Sequence, residues 1–336
     1  MAVVEGRDRG DQTPPAALAE MLRADMDATD ALIGDRMTAR HAPRIRDVAA
    51  HIFGAGGKRL RPLLALSAAR LVGDPRQDHI RLAATVEFIH TATLLHDDVI
   101  DESGQRRGRP TANLLWDNTS SVLVGDFLFA RAFELMVETG SLRVLGILSR
   151  AAATISEGEV LQLTAARSLA TDEATYLTVI RGKTAALFAA ACESGALVAG
   201  GTDDQAAALA RYGDALGVAF QIADDLLDYE GTDATGKSVG DDLRERKMTL
   251  PVIRAVAAAD CDERAFWQRV IETGRQEPGD LAEARALLEQ GGALDSARSA
   301  ALGWAGEARS ALAALPAGPI RDRLADLADY AVARIS

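Results

Sequence analysis

The sequence predicts an all-α protein with several long helices, and three observations support this prediction. Aromatic residues make up only 4% of the chain, while alanine and leucine are abundant. Apolar residues recur at intervals of three and four, as at Leu18, Met21, Leu22 and Met26, which is the spacing of one helix face. Segments in which β-branched and polar residues alternate, as strands require, are hard to find. No linker, repeat or shift in composition divides the chain, so residues 14–336 are expected to form one domain.

The first helix is expected to begin after Thr13, because Pro14 and Pro15 suit the first turn of a helix. Residues 1–13 are expected to form a flexible arm. Glycine- and proline-rich segments separate the later elements. Helices are expected over residues 43–53, 62–72, 79–102, 121–139, 141–168, 172–199 and 204–230. Further helices are expected over residues 249–258, 262–273, 279–290, 293–314 and 318–334.

Charge and composition exclude several classes of function. The net charge of −12 argues against general nucleic-acid binding, which needs a basic surface. No apolar run approaches the ~18–20 residues that span a bilayer, so we expect at most peripheral membrane contact. The N-terminal residues also lack the apolar region of a secretory signal. Cys192 and Cys261 match no disulfide or metal-binding spacing, which is consistent with a cytoplasmic location.

Two clusters of aspartates follow apolar helical segments. Asp97 and Asp101 are four residues apart, so they share one helix face with Cβ atoms ~5–6 Å apart, and Asp98 lies beside them. The second cluster repeats the pattern with Asp224, Asp225 and Asp228. Each cluster falls near the C-terminal end of a helix, where the helix dipole and the like-charged neighbours disfavour carboxylates. Each is therefore favourable only if a cation binds; the alternative for either one alone is a solvated acidic helix end.

The cation that best suits these carboxylates is Mg²⁺, which keeps several waters and commonly bridges to phosphates. Basic residues lie near both clusters in the sequence, although any one of them could belong to a solvated basic face. They are Lys58, Arg59, Arg61, Arg106, Arg107, Arg109, Lys183, Lys237 and Lys247. This combination predicts departure of a diphosphate from carbon, with Mg²⁺ and basic side chains stabilising the charge on the leaving oxygen.

These motifs resemble those of the trans-type prenyl diphosphate synthases. Residues 88–108 resemble the first aspartate-rich region of that family and residues 220–228 the second. Residues 57–62, 236–243 and 247–251 resemble three further motifs in the same order. The resemblance implies an all-α isoprenoid-synthase bundle around a central cavity, usually as a homodimer. It implies a Mg²⁺-dependent reaction in which an allylic diphosphate, such as farnesyl or geranyl diphosphate, is elongated by isopentenyl diphosphate.

The resemblance also implies roles for single residues. The aspartates would form a site for three Mg²⁺ ions, with Asp97, Asp101 and Asp224 as direct ligands and Asp98, Asp225 and Asp228 completing it. Isopentenyl diphosphate would be held by Lys58, Arg61, His90 and Arg107. The allylic diphosphate would be held by Arg106, Lys183, Thr184, Gln221 and Lys237, and Lys247 would also bind substrate. Lys183 and Lys237 would act in catalysis together with the aspartates. Arg246 departs from the family, which often has glycine before this lysine.

Product length is expected to depend on Ala92 and Thr93, which precede Asp97 by five and four residues. Short-chain members often carry an aromatic residue there, whereas a small side chain leaves an elongation tunnel open. The surrounding residues resemble bacterial long-chain synthases, so we expect an all-trans C40–C50 product, with decaprenyl favoured, for the side chain of ubiquinone. The alternative is a medium-chain geranylgeranyl or farnesyl synthase.

Three other functions agree less well with the sequence. A terpene cyclase needs no isopentenyl site, so Lys58 and Arg61 argue against it. A non-catalytic subunit tends to lose aspartates, and both clusters are intact. A di-iron bundle needs a second E-x-x-H motif besides Glu87–His90, and the sequence has none.

Overall fold

The computed structural model describes residues 13–38, 42–54, 56–75, 77–106, 108–230 and 239–335. The predicted all-α fold is confirmed. The first helices are α1 Pro14–Met21, α2 Arg23–Arg36, α3 Pro43–Phe53, α4 Leu60–Val72, α5 Asp78–Ile100, α6 Ala112–Leu115, α7 Asn118–Glu138, α8 Leu142–Ala165 and α9 Glu173–Ile180. They continue with α10 Ala186–Val198, α11 Asp203–Glu230, α12 Asp241–Arg244, α13 Leu250–Ala258, α14 Cys261–Trp267, α15 Asp280–Gln290, α16 Ala293–Ala311 and α17 Pro319–Ala333. The predicted arm lies outside the described residues except for Thr13.

Several boundaries differ from those expected. Helix α5 ends at Ile100 rather than at residue 102, because Glu102 adopts a left-handed conformation with φ 51° that a continuing helix cannot contain. A short antiparallel pair, β1 Gln105–Arg106 and β2 Arg109–Pro110, follows it and was not predicted. The helix expected over residues 172–199 is interrupted by a π-helical turn, Arg181–Ala185. Two of the predicted site residues, Lys183 and Thr184, lie in this turn, and such turns are frequent at functional sites.

The apolar side chains form two buried groups, and α11 takes part in both. Its N-terminal half contributes Tyr212 and Leu216 to the first group, whereas its C-terminal half contributes Ile222 and Leu226 to the second. Each fully buried leucine contributes about 1.5–3 kcal/mol to folding. The second aspartate cluster is therefore carried on a segment that is firmly packed on its apolar side.

A close crossing of α8 and the π-helical turn brings two charged residues of the site together. A Cβ atom on Gly158 would lie 2.8 Å from the backbone nitrogen of Lys183, and one on Gly182 would lie 3.0 Å from the Cα of Gly158. Only glycine permits this approach. The adjacent residues then meet, with Lys183 Nζ 2.9 Å from Glu159 Oε2.

We predict that Gly158→Ala lowers the free energy of unfolding by about 1–3 kcal/mol, because the added methyl group must push backbone apart. Urea denaturation measures this change. The matched control is Gly306→Ala in α16, where an added Cβ meets nothing within 4 Å. There the loss of glycine should leave stability unchanged or raise it by about 0.5–1 kcal/mol. Equal stability of the two variants would contradict the close crossing.

Candidate active site

The first aspartate cluster lies at the C-terminal end of α5. Asp101 caps the helix, and its N–H donates to the backbone oxygen of Asp97 at 2.8 Å. Burial raises the pKa of Asp97 to about 7; Lys183 opposes this shift, whereas Glu159 and Asp101 add to it. Three carboxylates thus act on one another at this place, and the arrangement favours an additional cation.

Asp98 has a different environment. Its buried carboxylate accepts hydrogen bonds from Arg106, whose Nε lies at 2.8 Å and whose Nη2 lies at 2.7 Å from Oδ1. The backbone oxygen of Asp98 accepts from the N–H of Ser103 at 3.0 Å. This aspartate therefore holds Arg106 and the segment that follows α5. Arg107, which was predicted to bind isopentenyl diphosphate, lies outside the described residues.

The second cluster is carried by α11, and its middle carboxylate is enclosed. Asp225 Oδ2 accepts from the Tyr176 hydroxyl at 2.6 Å, and Oδ1 accepts from Gln221 Nε2 at 2.8 Å. Gln221 Oε1 in turn accepts from the Thr184 hydroxyl at 2.8 Å. Burial raises the pKa of Asp225 to about 6, although Tyr176 and Gln221 oppose this effect. A chain of hydrogen bonds thus joins α9, α11 and the π-helical turn.

Asp228 accepts hydrogen bonds from the backbone at the start of α12. Its carboxylate accepts from the N–H groups of Asp241 at 3.1 Å and Asp242 at 3.0 Å, and so caps α12. The N–H of Gly240 donates to its backbone oxygen at 2.9 Å. Lys237, which was predicted to be catalytic, lies outside the described residues.

Two lysines link the aspartate clusters. Lys247 Nζ lies 4.0 Å from Asp101 Oδ2 and 3.9 Å from Asp242 Oδ1, and it also contacts Glu245. Burial alone would lower the pKa of Lys247, but these carboxylates raise it above its ordinary value. Lys183 and Lys247 both line a cavity of about 100 Å³ together with Asp225. The second cluster therefore contributes Asp225 to the lining of this cavity, and the first cluster lies beside its two lysines, since Lys247 approaches Asp101 and Lys183 acts on Asp97.

A second, much smaller pocket combines basic and aromatic side chains. It is lined by Lys58, Leu60, Phe188, Leu216, Phe220, Leu327, Tyr330, Ala331 and Arg334. Lys58 Nζ donates to the Tyr330 hydroxyl at 2.9 Å. Arg61 stacks on the Phe188 ring at 4.7 Å, and its Nη1 lies 3.1 Å from Nε2 of His90. The pocket offers cations for an anionic group and aromatic walls for a small apolar one.

Several residues of the site were not predicted from the sequence. Arg334, which follows α17, places Nη2 2.7 Å from Oδ1 of Asp224 and stacks on the Phe220 ring at 4.6 Å. Tyr176, Glu159 and Tyr330 were also not proposed. Tyr176, Tyr330 and Arg334 belong to no charged or glycine-rich motif, so a single sequence holds no local signal for them, whereas Glu159 follows Glu157 and Gly158 and could have been singled out. Arg59, in contrast, pairs with buried Glu87 and supports the fold.

The residues expected to set product length lie in the core. Ala92 is fully buried, and the Thr93 hydroxyl donates to the backbone oxygen of His90 at 2.8 Å. Neither of the two cavities is lined by Ala92 or Thr93. Their influence on product length stays a prediction.

The donor set suits metal ions that are shared with a ligand. Within the described ranges, no three carboxylate, histidine or cysteine side chains converge on a single metal position. Mg²⁺ commonly takes only one or two carboxylates and completes its shell with water and phosphate oxygens. Asp97, Asp101 and Asp224 fit this mode of binding, because all three are partly buried oxygen donors and each lies beside a basic side chain that lines one of the two cavities.

Comparison with known proteins agrees with this geometry. The family profile described as polyprenyl synthetase matches residues 42–288. The octaprenyl diphosphate synthase of Haemophilus influenzae is 45% identical over 293 residues, which cover 87% of this chain and 89% of the relative. A crystal structure of a decaprenyl diphosphate synthase from Rhodobacter capsulatus is 64% identical with a TM-score of 0.94, covering 96% of this chain and 100% of that one. A polyprenyl synthase from Caulobacter crescentus, solved with calcium and isoprenyl diphosphate, is 50% identical with a TM-score of 0.92, covering 98% and 100%.

We predict that the metal-free protein loses stability as the pH rises toward and through 7, owing to Asp97. Its pKa is raised from 3.8 to about 7, so the folded protein holds this proton more tightly than the unfolded chain. The resulting stabilisation is full below the unfolded pKa and is lost as pH rises through the folded pKa. Thermal unfolding between about pH 5 and 8 measures it.

Asp97→Asn is the control, because it removes this titration while it keeps the shape of the side chain. As the pH rises, the melting temperature of the wild type should fall relative to that of Asp97→Asn. Addition of Mg²⁺ with pyrophosphate should reverse the trend for the wild type, since metal binding requires the ionised carboxylate. Parallel pH profiles of the two proteins would contradict the assignment.

Proposed function

The chain belongs to the polyprenyl synthetase family, and we propose that it elongates an allylic diphosphate by successive condensations with isopentenyl diphosphate. The observation that carries this proposal is a cavity lined by Asp225, Lys183 and Lys247, whose two lysines also act on Asp97 and Asp101 of the first cluster. A second pocket combines basic and aromatic side chains. The names of the relatives support a long all-trans product of C40–C50. Decaprenyl is favoured, because the Rhodobacter capsulatus decaprenyl synthase is 64% identical.

In the larger cavity the allylic diphosphate would lie among the two lysines, Thr184 and Gln221, with Arg106 nearby. The bond between its first carbon and the diphosphate oxygen breaks, and negative charge grows on the leaving group. At an effective dielectric of about 20, one cation 4 Å away contributes on the order of 4 kcal/mol to its stabilisation. Three Mg²⁺ ions, held by Asp97, Asp101 and Asp224, would supply Lewis-acid assistance to the same departure when bound.

In the smaller pocket Lys58, Arg61 and His90 would hold isopentenyl diphosphate. Its double bond attacks the allylic carbon, the released diphosphate takes up the proton that the new chain loses, and the product is one isoprene unit longer. The rings of Phe188 and Phe220 lie against Arg61 and Arg334. They would exclude water from the allylic carbocation that forms when the diphosphate leaves. This chemistry requires no nucleophile from the protein.

The test is turnover of the purified chain with farnesyl diphosphate, isopentenyl diphosphate and Mg²⁺, followed by mass analysis of the products. We expect C40–C50 chains and a strict requirement for isopentenyl diphosphate. Asp97→Ala and Asp224→Ala should each reduce turnover by at least about 10²–10³-fold, since each removes stabilisation of the leaving group. Products of C20 or shorter would refute the assigned length, and turnover of the allylic substrate alone would indicate a cyclase.

We predict that Ala92→Phe shortens the product, because a ring at this position would close the tunnel that the growing chain needs. The readout is the product mass distribution of the folded variant. Ala83→Phe is the control, since Ala83 is also fully buried on α5 but lies more than two turns further from Asp97. An unchanged product from folded Ala92→Phe would place the floor of the tunnel elsewhere.

We also propose a homodimer that forms through α7. This helix exposes Val122, Leu123, Phe133 and Val137, and Leu123 and Val137 are 60% and 64% exposed. Several large apolar side chains exposed on one helix are typical of an interface. Light scattering should give twice the chain mass of 35.5 kDa, and Leu123→Asp combined with Val137→Asp should give monomers. A monomeric wild type would contradict this proposal.

We assign the product to the side chain of ubiquinone and the enzyme to the cytoplasm. Both cysteines are free thiols, which suits a reducing compartment. No helix in the described part of the chain is long and apolar enough to cross a membrane. Loss of the enzyme should abolish the long-chain quinone, and extracts should contain the activity after membranes are removed.

A further inference from the structure

Tyr176 occupies a position that the mechanism above does not use. It lies on α9 with 4% exposure, and its hydroxyl donates to Asp225 Oδ2 at 2.6 Å. The other oxygen of Asp225 accepts from Gln221. Both carboxylate oxygens are therefore engaged by protein donors, so this aspartate is held in one orientation.

The orientation of Asp225 determines that of Gln221. Because the Gln221 amide group donates through Nε2 to Asp225, its Oε1 is directed to the Thr184 hydroxyl, 2.8 Å away. Thr184 is adjacent to Lys183 in the π-helical turn. The Tyr176 hydroxyl on α9 is thus linked, through Asp225 and Gln221, to Thr184 in the π-helical turn.

All four members of this hydrogen-bond chain line the same cavity, which also holds Lys183 and Lys247. Removal of the Tyr176 hydroxyl would take away one donor from a buried carboxylate. That oxygen would then turn toward another cation or donor, such as Lys247, which acts on Asp225 electrostatically. The Gln221 amide and the Thr184 hydroxyl would lose their fixed directions as a consequence.

We propose that Tyr176 is a positioning residue of the diphosphate site, which acts through Asp225 to orient Gln221 and Thr184. This inference rests on the proposed function, since it names a further determinant of the same site. It implies that Tyr176 affects the binding of the allylic diphosphate and its metal ions, while the pocket around Lys58 is unaffected.

The experiment compares Tyr176→Phe with Tyr212→Phe. Tyr212 is also fully buried and donates to a backbone oxygen, that of Leu324 at 2.9 Å, but it lines neither cavity. Tyr176→Phe should raise the KM for the allylic diphosphate and the Mg²⁺ concentration for half-maximal turnover about tenfold, the scale of one hydrogen bond to a charged group. The KM for isopentenyl diphosphate should stay unchanged. Tyr212→Phe should alter only thermal stability.

A second readout does not depend on turnover. Mg²⁺ with inorganic pyrophosphate should raise the melting temperature of the wild type and of Tyr212→Phe more than that of Tyr176→Phe. If the wild type makes no elongated product but this difference is found, the proposed function fails while the positioning role holds. If the pyrophosphate effect and the KM values of Tyr176→Phe equal those of the wild type, the positioning role is refuted.

A double-mutant cycle tests whether Tyr176 acts through Asp225. In an Asp225→Asn background, Tyr176→Phe should have little further effect on pyrophosphate binding, because the link is already weakened. Equal effects in both backgrounds would overturn the proposed route. If Tyr176→Phe does not fold, Asp225→Asn alone should reduce the pyrophosphate effect in the same way, and undiminished binding by that variant would also overturn the proposal.

Discussion

Carboxylates that are buried close together need compensating cations, and this requirement organises the whole cleft. Three of the acidic groups have a basic partner that comes from a different element: Lys183 for Glu159, Arg106 for Asp98, and Arg334 for Asp224. Lys247 contacts carboxylates from both sides of the cleft. The folded chain thus holds its acidic motifs in place with its own cations, and arrival of Mg²⁺ and a diphosphate would redistribute these pairs.

The aspartates within each motif have different partners, which indicates a division of roles. The middle residues, Asp98 and Asp225, are buried and are engaged by Arg106, Tyr176 and Gln221. Asp98 and Asp225 therefore fix the geometry of the side chains around them, whereas Asp97 and Asp101 lie beside the lysines.

Much of this could be predicted from the sequence. The 3.6-residue periodicity predicted the helices, and the spacing of the acidic motifs predicted a cation-dependent site. The π-helical turn could not be predicted, because its residues continue the helical pattern and its contact with α8, between Gly182 and Gly158, is a tertiary one. Arg334 and Tyr176 were missed for the same reason: tertiary packing alone brings them to Asp224 and Asp225.

Arg246 shows how a departure from the family pattern can be accommodated. It adopts φ 62°, a left-handed conformation that glycine accepts freely and that costs other residues about 1–2 kcal/mol. Its guanidinium offsets this cost, since Nε donates to the backbone oxygen of Ile271 at 2.6 Å and Nη2 donates to that of Glu272. The backbone oxygen of Arg246 also accepts from the N–H of Arg167 at 3.1 Å. The arginine thus preserves the turn that glycine would allow and anchors the backbone immediately before Lys247, where the two acidic motifs meet.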